Sequence, residues 1–223
     1  MGRGDSNVMA RRDDVLATLG VVKLANTRQI ARLHFSDHLS PSKRASECLA
    51  ELSIRKMVEG RLVKFGLPKV WRLTKMGREI LQLSFTPVPF SHNPDHWQSI
   101  IDFYCALSDV EKPLIFLPEY RERCDDSLFA PDAFYVHQGR AFFLEMQLTQ
   151  LTSKNWRKKW QVYEAYYASI ATRNFQTATR PVKPSIIVVS NQMPETIGKP
   201  NDVDVQVVRR DYILGTNWGQ NTD

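Results

Sequence analysis

The chain has few cysteines and no long hydrophobic run. Its three cysteines, Cys48, Cys105 and Cys124, are odd in number and lack C-x-x-C spacing, so neither a disulfide framework nor a structural zinc site is indicated. No apolar stretch approaches the roughly 20 residues needed to cross a bilayer, and no signal-peptide pattern follows the N-terminal arginines. The sequence therefore predicts a cytoplasmic protein with reduced thiols and no membrane partner.

Positive charge is concentrated in the N-terminal part of the chain. Residues 1–86 carry 16 Lys/Arg against 8 Asp/Glu, whereas residues 87–223 carry 14 against 16, which together give the net charge of +6. A basic half favours a polyanionic partner such as nucleic acid, because neutralised phosphates release their counterions. The positive charge by itself is explained equally well by a role in keeping the protein soluble.

Apolar periodicity, helix caps and turn residues predict three helices, a β-hairpin and a further helix in residues 8–86. The helices are expected near 8–21, 27–33 and 42–58, the strands at 61–65 and 69–73, and the last helix at 75–83. This order is that of a winged helix-turn-helix, which places its third helix in the major groove of double-stranded DNA. Residues 8–86 are therefore predicted to be a DNA-binding domain.

The predicted DNA contacts lie on the third helix and on the hairpin, which forms the wing. A guanine edge suits Lys43 or Arg44, and phosphates suit the wing cations. The full set is Ser42, Lys43, Arg44 and Ser46 on the helix, with Lys64, Lys69 and Arg72 on the wing. A module that binds protein or only dimerises is the alternative, and a homodimer fits either interpretation.

Three prolines make residues 87–95 the predicted linker, which leaves 96–214 as a second domain and 215–223 as a flexible tail. The second domain is predicted to contain a helix, three strands, a long helix and two further strands. Their expected positions are 96–110, 114–117, 133–137, 141–148, 154–173, 185–190 and 203–208. The predicted fold class is therefore mixed, α+β or α/β.

Two acids stand on neighbouring predicted strands of this domain. Asp132 precedes the strand 133–137, and Glu145 lies on the return strand, with Gln147 two residues later on the same face. Carboxylates are the usual ligands of hard divalent cations, so the pair predicts a metal site. Glu119 is a candidate third ligand, or else a solvated acid in a charged run.

This arrangement resembles the PD-(D/E)xK nuclease superfamily, in which Pro131-Asp132 and Glu145-x-Gln147 would form the motif. The resemblance implies that Asp132 and Glu145 bind Mg²⁺ or Mn²⁺. Gln147 replaces the usual Lys; an amide can orient water but supplies no positive charge to a developing phosphorane. Lys158 is the candidate for the missing cation. It lies in a basic cluster that either binds a phosphate or is simply a solvated face of the helix: Lys154, Arg157, Lys158 and Lys159.

The chain as a whole resembles the replication-relaxation family of plasmids and integrative elements. The similarity spans residues 13–190. It is carried by four stretches: Ala45–Gly60, Val70-Trp71-Arg72-Leu73-Thr74-x-x-Gly77, Pro131-Asp132-Ala133, and Phe143-Leu144-Glu145 followed by Trp156, Lys158 and Tyr163. Membership implies a DNA-binding accessory role in replication or transfer of a mobile element, alongside the element's replication or transfer proteins. A metal-dependent endonuclease and a transcriptional repressor are the alternatives.

Overall fold

The computed structural model describes residues 3–63, 65–90, 94–124, 127–173, 183–201 and 203–211. The chain has mixed α/β structure and divides into two compact units, Met1–Val110 and Glu111–Asp223. Within the described residues, no helix is long and apolar enough to cross a membrane. The predicted tail, 215–223, lies outside the described residues.

The N-terminal unit contains the predicted helices and hairpin in the predicted order. Its elements are α1 (Arg3–Val22), β1 (Ala25–Asn26), α2 (Thr27–His34), α3 (Pro41–Ile54), β2 (Val58–Arg61), β3 (Val70–Leu73), α4 (Lys75–Ile80) and α5 (Pro94–Val110). The short strand β1 joins the hairpin in a three-stranded sheet of order β1-β3-β2. Helix α3 ends four residues before its predicted end at Val58, because Lys56 takes a left-handed backbone conformation (φ 59°) and Val58 starts β2.

Helix α5 packs on α2 through buried polar contacts. Gln29 of α2 is 3% exposed, and its amide donates to the carbonyl of Gln98 at 3.0 Å and to the carboxylate of Asp102 at 2.8 Å. The indole of Trp97 donates to the carbonyl of Leu24 at 3.1 Å. Leaving a buried amide without a hydrogen-bond partner costs free energy of folding. Moving α5 away from α2 would break these bonds, so they hold α5 in place.

The sequence assigned this helix to the second domain and the linker to residues 87–95. In the structure the two compact units instead divide between Val110 and Glu111, at the end of α5. The reason is the packing of α5, whose polar partners lie on α2 and in the residues around β1.

The C-terminal unit contains a five-stranded sheet and one long helix. Its elements are β4 (Ile115–Pro118), β5 (Glu122–Cys124), β6 (Ser127–Phe129), β7 (Ala133–His137), β8 (Arg140–Met146), α6 (Ser153–Arg173), β9 (Ser185–Val189), α7 (Pro194–Ile197) and β10 (Val205–Val208). The sheet order is β10-β9-β8-β7-β4, and β5 pairs only with β6. Strands β8 and β9 are parallel, and the long crossover that parallel strands require contains α6.

Aromatic side chains of α6 form much of the core of this unit. Trp156, Trp160 and Tyr163 recur at helical spacing and pack with Phe143 of β8 and Phe129 of β6. The indole of Trp160 donates to a backbone carbonyl of α7 at 2.8 Å, so its polar atom is satisfied inside the core. The aromatic face of α6 therefore lies against the sheet face that carries Phe143.

All three cysteines are buried, and none forms a disulfide in the part of the chain that the structure describes. Burial raises the pKa of the Cys48 thiol to about 11, and burial also raises the pKa of Cys105. The prediction that the thiols are buried agrees with this structure.

Candidate functional site

The hairpin β7–β8 brings Asp132 and Glu145 close together. The antiparallel register ends where Ala133 pairs with Leu144, and the N–H of Asp132 donates to the carbonyl of Leu144 at 3.0 Å. Asp132 therefore lies next to Glu145, and its charge acts on the Glu145 carboxyl. One carboxylate oxygen of Asp132 (Oδ2) accepts the backbone N–H of Met146 at 2.6 Å, which fixes it at the end of the hairpin.

Glu145 is buried and both of its oxygens are engaged. Only 1% of the residue is exposed. The Tyr163 hydroxyl donates to its Oε1 at 2.6 Å, and the Lys159 ammonium donates to its Oε2. Burial raises the pKa of Glu145 to about 7, against the opposing effect of the Lys159 charge; the Asp132 charge raises it further. The net result is a buried carboxylate held by one cation and one phenol.

The lysine at this site is Lys159, whereas the sequence predicted Lys158. Lys158 is exposed, and Lys159 lies one full turn before Tyr163, so both Lys159 and Tyr163 point to Glu145. A single residue turns a helix by about 100°, which is enough to move Lys158 off that face. Burial lowers the pKa of Lys159, but the charges of Glu145 and Asp132 outweigh it and leave the pKa raised.

Gln147 and Glu119 take positions beside the pair. The Gln147 amide donates to the backbone carbonyl of Thr149 at 2.7 Å, so it bonds the loop that follows β8. Glu119 has a left-handed backbone (φ 54°), and its N–H donates to the carbonyl of Asp132 at 2.8 Å.

The predicted metal ligands do not assemble as a set. In the part of the chain that the structure describes, no three His, Cys, Asp or Glu side chains come close enough to hold a metal ion. The Lys159 and Tyr163 donors occupy the oxygens that Glu145 would offer. A divalent cation at Glu145 would therefore compete with the ammonium of Lys159 for Oε2. Metal binding stays a prediction.

The predicted contacts on α3 lie on its solvent face. Ser42, Lys43, Arg44 and Ser46 are exposed, whereas Ala45, Cys48, Leu49 and Leu52 are buried on the opposite face. Arg44 forms an ion pair with Glu47 at 3.0 Å on the same surface. Lys43 has no ion-pair partner among the described residues. The amphipathic pattern of α3 thus leaves these polar side chains exposed to solvent.

Of the predicted wing contacts, Arg72 has a structural role. Its guanidinium forms an ion pair with Glu59 at 2.8 Å and donates to the carbonyl of Val88 at 2.6 Å. It also lies over the Phe90 ring, 4.3 Å from the centroid. Lys69 is exposed beside the Trp71 ring, and Lys64 lies outside the described residues.

A sequence model of the replication-relaxation family matches residues 16–181, which is more than half of the chain and includes α3, the β2–β3 hairpin, Asp132, Glu145 and Lys159. A comparison with curated proteins finds no match. The chain belongs to the replication-relaxation family.

Proposed function

We propose that this chain is a DNA-binding accessory protein for the replication or transfer of a mobile genetic element. A winged helix in its N-terminal unit reads the DNA. Its C-terminal unit is a variant PD-(D/E)xK domain whose acid pair is held by Lys159 rather than by a metal. Membership of the replication-relaxation family associates the chain with replication.

The exposed cations of α3 carry this proposal. In a helix-turn-helix the second helix of the pair inserts its N-terminal residues into the major groove. Here α2 and α3 pack together, and Lys43 and Arg44 lie on the exposed side of the first turn of α3. The sheet order β1-β3-β2, with the hairpin following α3, supports a wing beside this helix.

Removing Lys43 and Arg44 together should weaken DNA binding about 30-fold or more, because each cation bound to a base edge or phosphate contributes about 1–3 kcal/mol and about 1.4 kcal/mol corresponds to a factor of ten. A plot of the logarithm of the binding constant against the logarithm of the salt concentration should also become less steep, by about one unit of slope for each phosphate that is no longer neutralised. Anisotropy titrations of the K43A/R44A variant on a pool of random duplexes, repeated at several salt concentrations, measure both effects.

The variant K75A/K112A is a matched control, since it also removes two exposed positive charges but none from α3. It should bind almost as well as the unmodified chain. Equal affinity of K43A/R44A and the unmodified chain would show that α3 is not the reading helix.

The C-terminal unit should not nick DNA. Supercoiled plasmid incubated with the chain and Mn²⁺ should stay supercoiled, because both oxygens of the Glu145 carboxylate accept hydrogen bonds from Lys159 and Tyr163. Gel analysis of topoisomers measures this directly. Nicking that disappears in Asp132→Ala would instead establish the endonuclease alternative.

A further inference from the structure

We propose that three cations of α6, Lys154, Arg157 and Lys158, form a basic ridge that binds the phosphate backbone of duplex DNA. This inference rests on the proposed function and deepens it, because it gives the C-terminal unit its own contact with the DNA. The ridge is distinct from Lys159, which bonds Glu145.

The three side chains share one side of the helix. They stand at positions i, i+3 and i+4, which are neighbours on a helical surface, and all three are exposed. At about 100° per residue they lie roughly opposite Trp156, Trp160 and Tyr163, which face the core. The ridge therefore points away from the sheet that α6 covers.

No described carboxylate neutralises the ridge. The ion pairs of this unit among the described residues involve Lys159, Arg140 and Arg209, and none of the three ridge residues. Like charges three or four residues apart repel each other on a helix. The cluster therefore weakens the helix that carries it.

The position on the helix adds a second cost. The ridge occupies the first two turns of α6, and the first turn has no acidic residue. Cations at the N-terminal end oppose the helix dipole, which favours negative charge there. A local arrangement that breaks two electrostatic rules without compensation marks a functional surface.

Double-stranded DNA fits this surface. Residues 87–223 carry fewer basic than acidic residues, so the ridge is a local concentration of charge in an otherwise balanced half. Four residues of helix span about 6 Å, which lets the three cations reach neighbouring phosphates of one strand. Such contacts carry no sequence information and would hold DNA that α3 has selected.

The triple variant K154A/R157A/K158A tests the ridge. Its salt dependence on random duplexes should flatten by about 2 to 3 units of log–log slope, at about 0.9 for each neutralised phosphate, and its affinity should fall at least about tenfold. Its melting temperature should stay the same or rise, because like-charge repulsion is removed. A merely structural role would lower the melting temperature instead.

The variant R123A/K183A/K199A is the control, because it removes three exposed cations that lie on different segments of the same unit. An equal loss of affinity in this control, or an unchanged slope in the ridge variant, overturns the ridge. The substitution K154R/K158R should keep the binding. If the unmodified chain bound no duplex at all, both the proposed function and the proposed role of the ridge would be contradicted. A ridge failure alone leaves the effect of K43A/R44A intact.

Discussion

Replacing Lys159 with methionine should destabilise the folded chain by about 3 kcal/mol. The substitution keeps the length of the side chain but removes the ammonium that bonds Glu145. Glu145 is 1% exposed, so water cannot replace that partner. Urea unfolding followed by tryptophan fluorescence measures the loss, since Trp156 and Trp160 lie in the same core.

The loss should grow with pH. In the unfolded chain a glutamate titrates near pH 4.3, roughly, whereas the folded Glu145 already has a pKa of about 7. Without the Lys159 charge the folded pKa rises further. Between these two pKa values the folded state keeps a proton that the unfolded state releases, so stability is lost as pH rises. The variant should be closer to the unmodified chain at pH 5 than at pH 8.

Two further variants separate the buried pair from other effects. Lys158→Met changes the neighbouring exposed lysine and should alter stability by less than about 0.5 kcal/mol. The double variant E145Q/K159M removes both charges and should recover much of the stability lost in K159M, because no buried carboxylate is left unpaired. If K159M and K158M were equally stable, the ion pair would not hold this site.

Replacing Gly77 with alanine should cost about 2–3 kcal/mol, although alanine is the better helix former by about 1 kcal/mol. A Cβ atom at Gly77 would lie well under 3.0 Å from the backbone carbonyl oxygen of Met57. That carbonyl also accepts the N–H of Thr74 at 3.0 Å, and the Thr74 hydroxyl caps α4 by accepting the N–H of Gly77 at 3.1 Å. The backbone therefore has little freedom to move away.

Gly20→Ala is the matched control for this substitution, since Gly20 also lies inside a helix. The nearest atom to its added Cβ is the end of the Leu83 side chain at 2.7 Å, which can rotate aside. Thermal unfolding should show a large drop for Gly77→Ala and little change for Gly20→Ala. Similar melting temperatures would mean that the contact between α4 and Met57 is looser than the structure indicates.

Local patterns predicted the element order well, and tertiary contacts account for the differences. The strands β7 and β8 and the helix α6 follow from period-2 and period-3.6 apolar spacing. The hairpin β5–β6 was missed because its residues have the pattern of a charged run. The place of α5 in the N-terminal unit was missed too, because its hydrogen bonds with Gln29 join residues about seventy positions apart, and no local pattern records them.

In the candidate site, too, local sequence patterns predicted some features, whereas others depend on tertiary contacts. That Asp132 and Glu145 meet follows from the hairpin register, which the turn at Gly139 fixes. In the structure Lys159, rather than Lys158, contacts Glu145. The spacing of Trp156, Trp160 and Tyr163 contained this phase of α6, which the prediction of Lys158 did not use. The partners of Arg72 could not be found locally, since Val88 and Phe90 approach it only in the folded chain.

The burial of every native thiol has a practical consequence for testing the proposed contacts with DNA. Buried sulfur reacts slowly with alkylating reagents, because the reagent has to reach the thiol. A cysteine introduced at the exposed position of Lys43 or Arg157 would then be the one thiol with ordinary reactivity. Cross-linkers or spin labels attached there would report proximity to nucleotides. The buried native thiols would stay largely unlabelled, so Cys48, Cys105 and Cys124 would not have to be replaced.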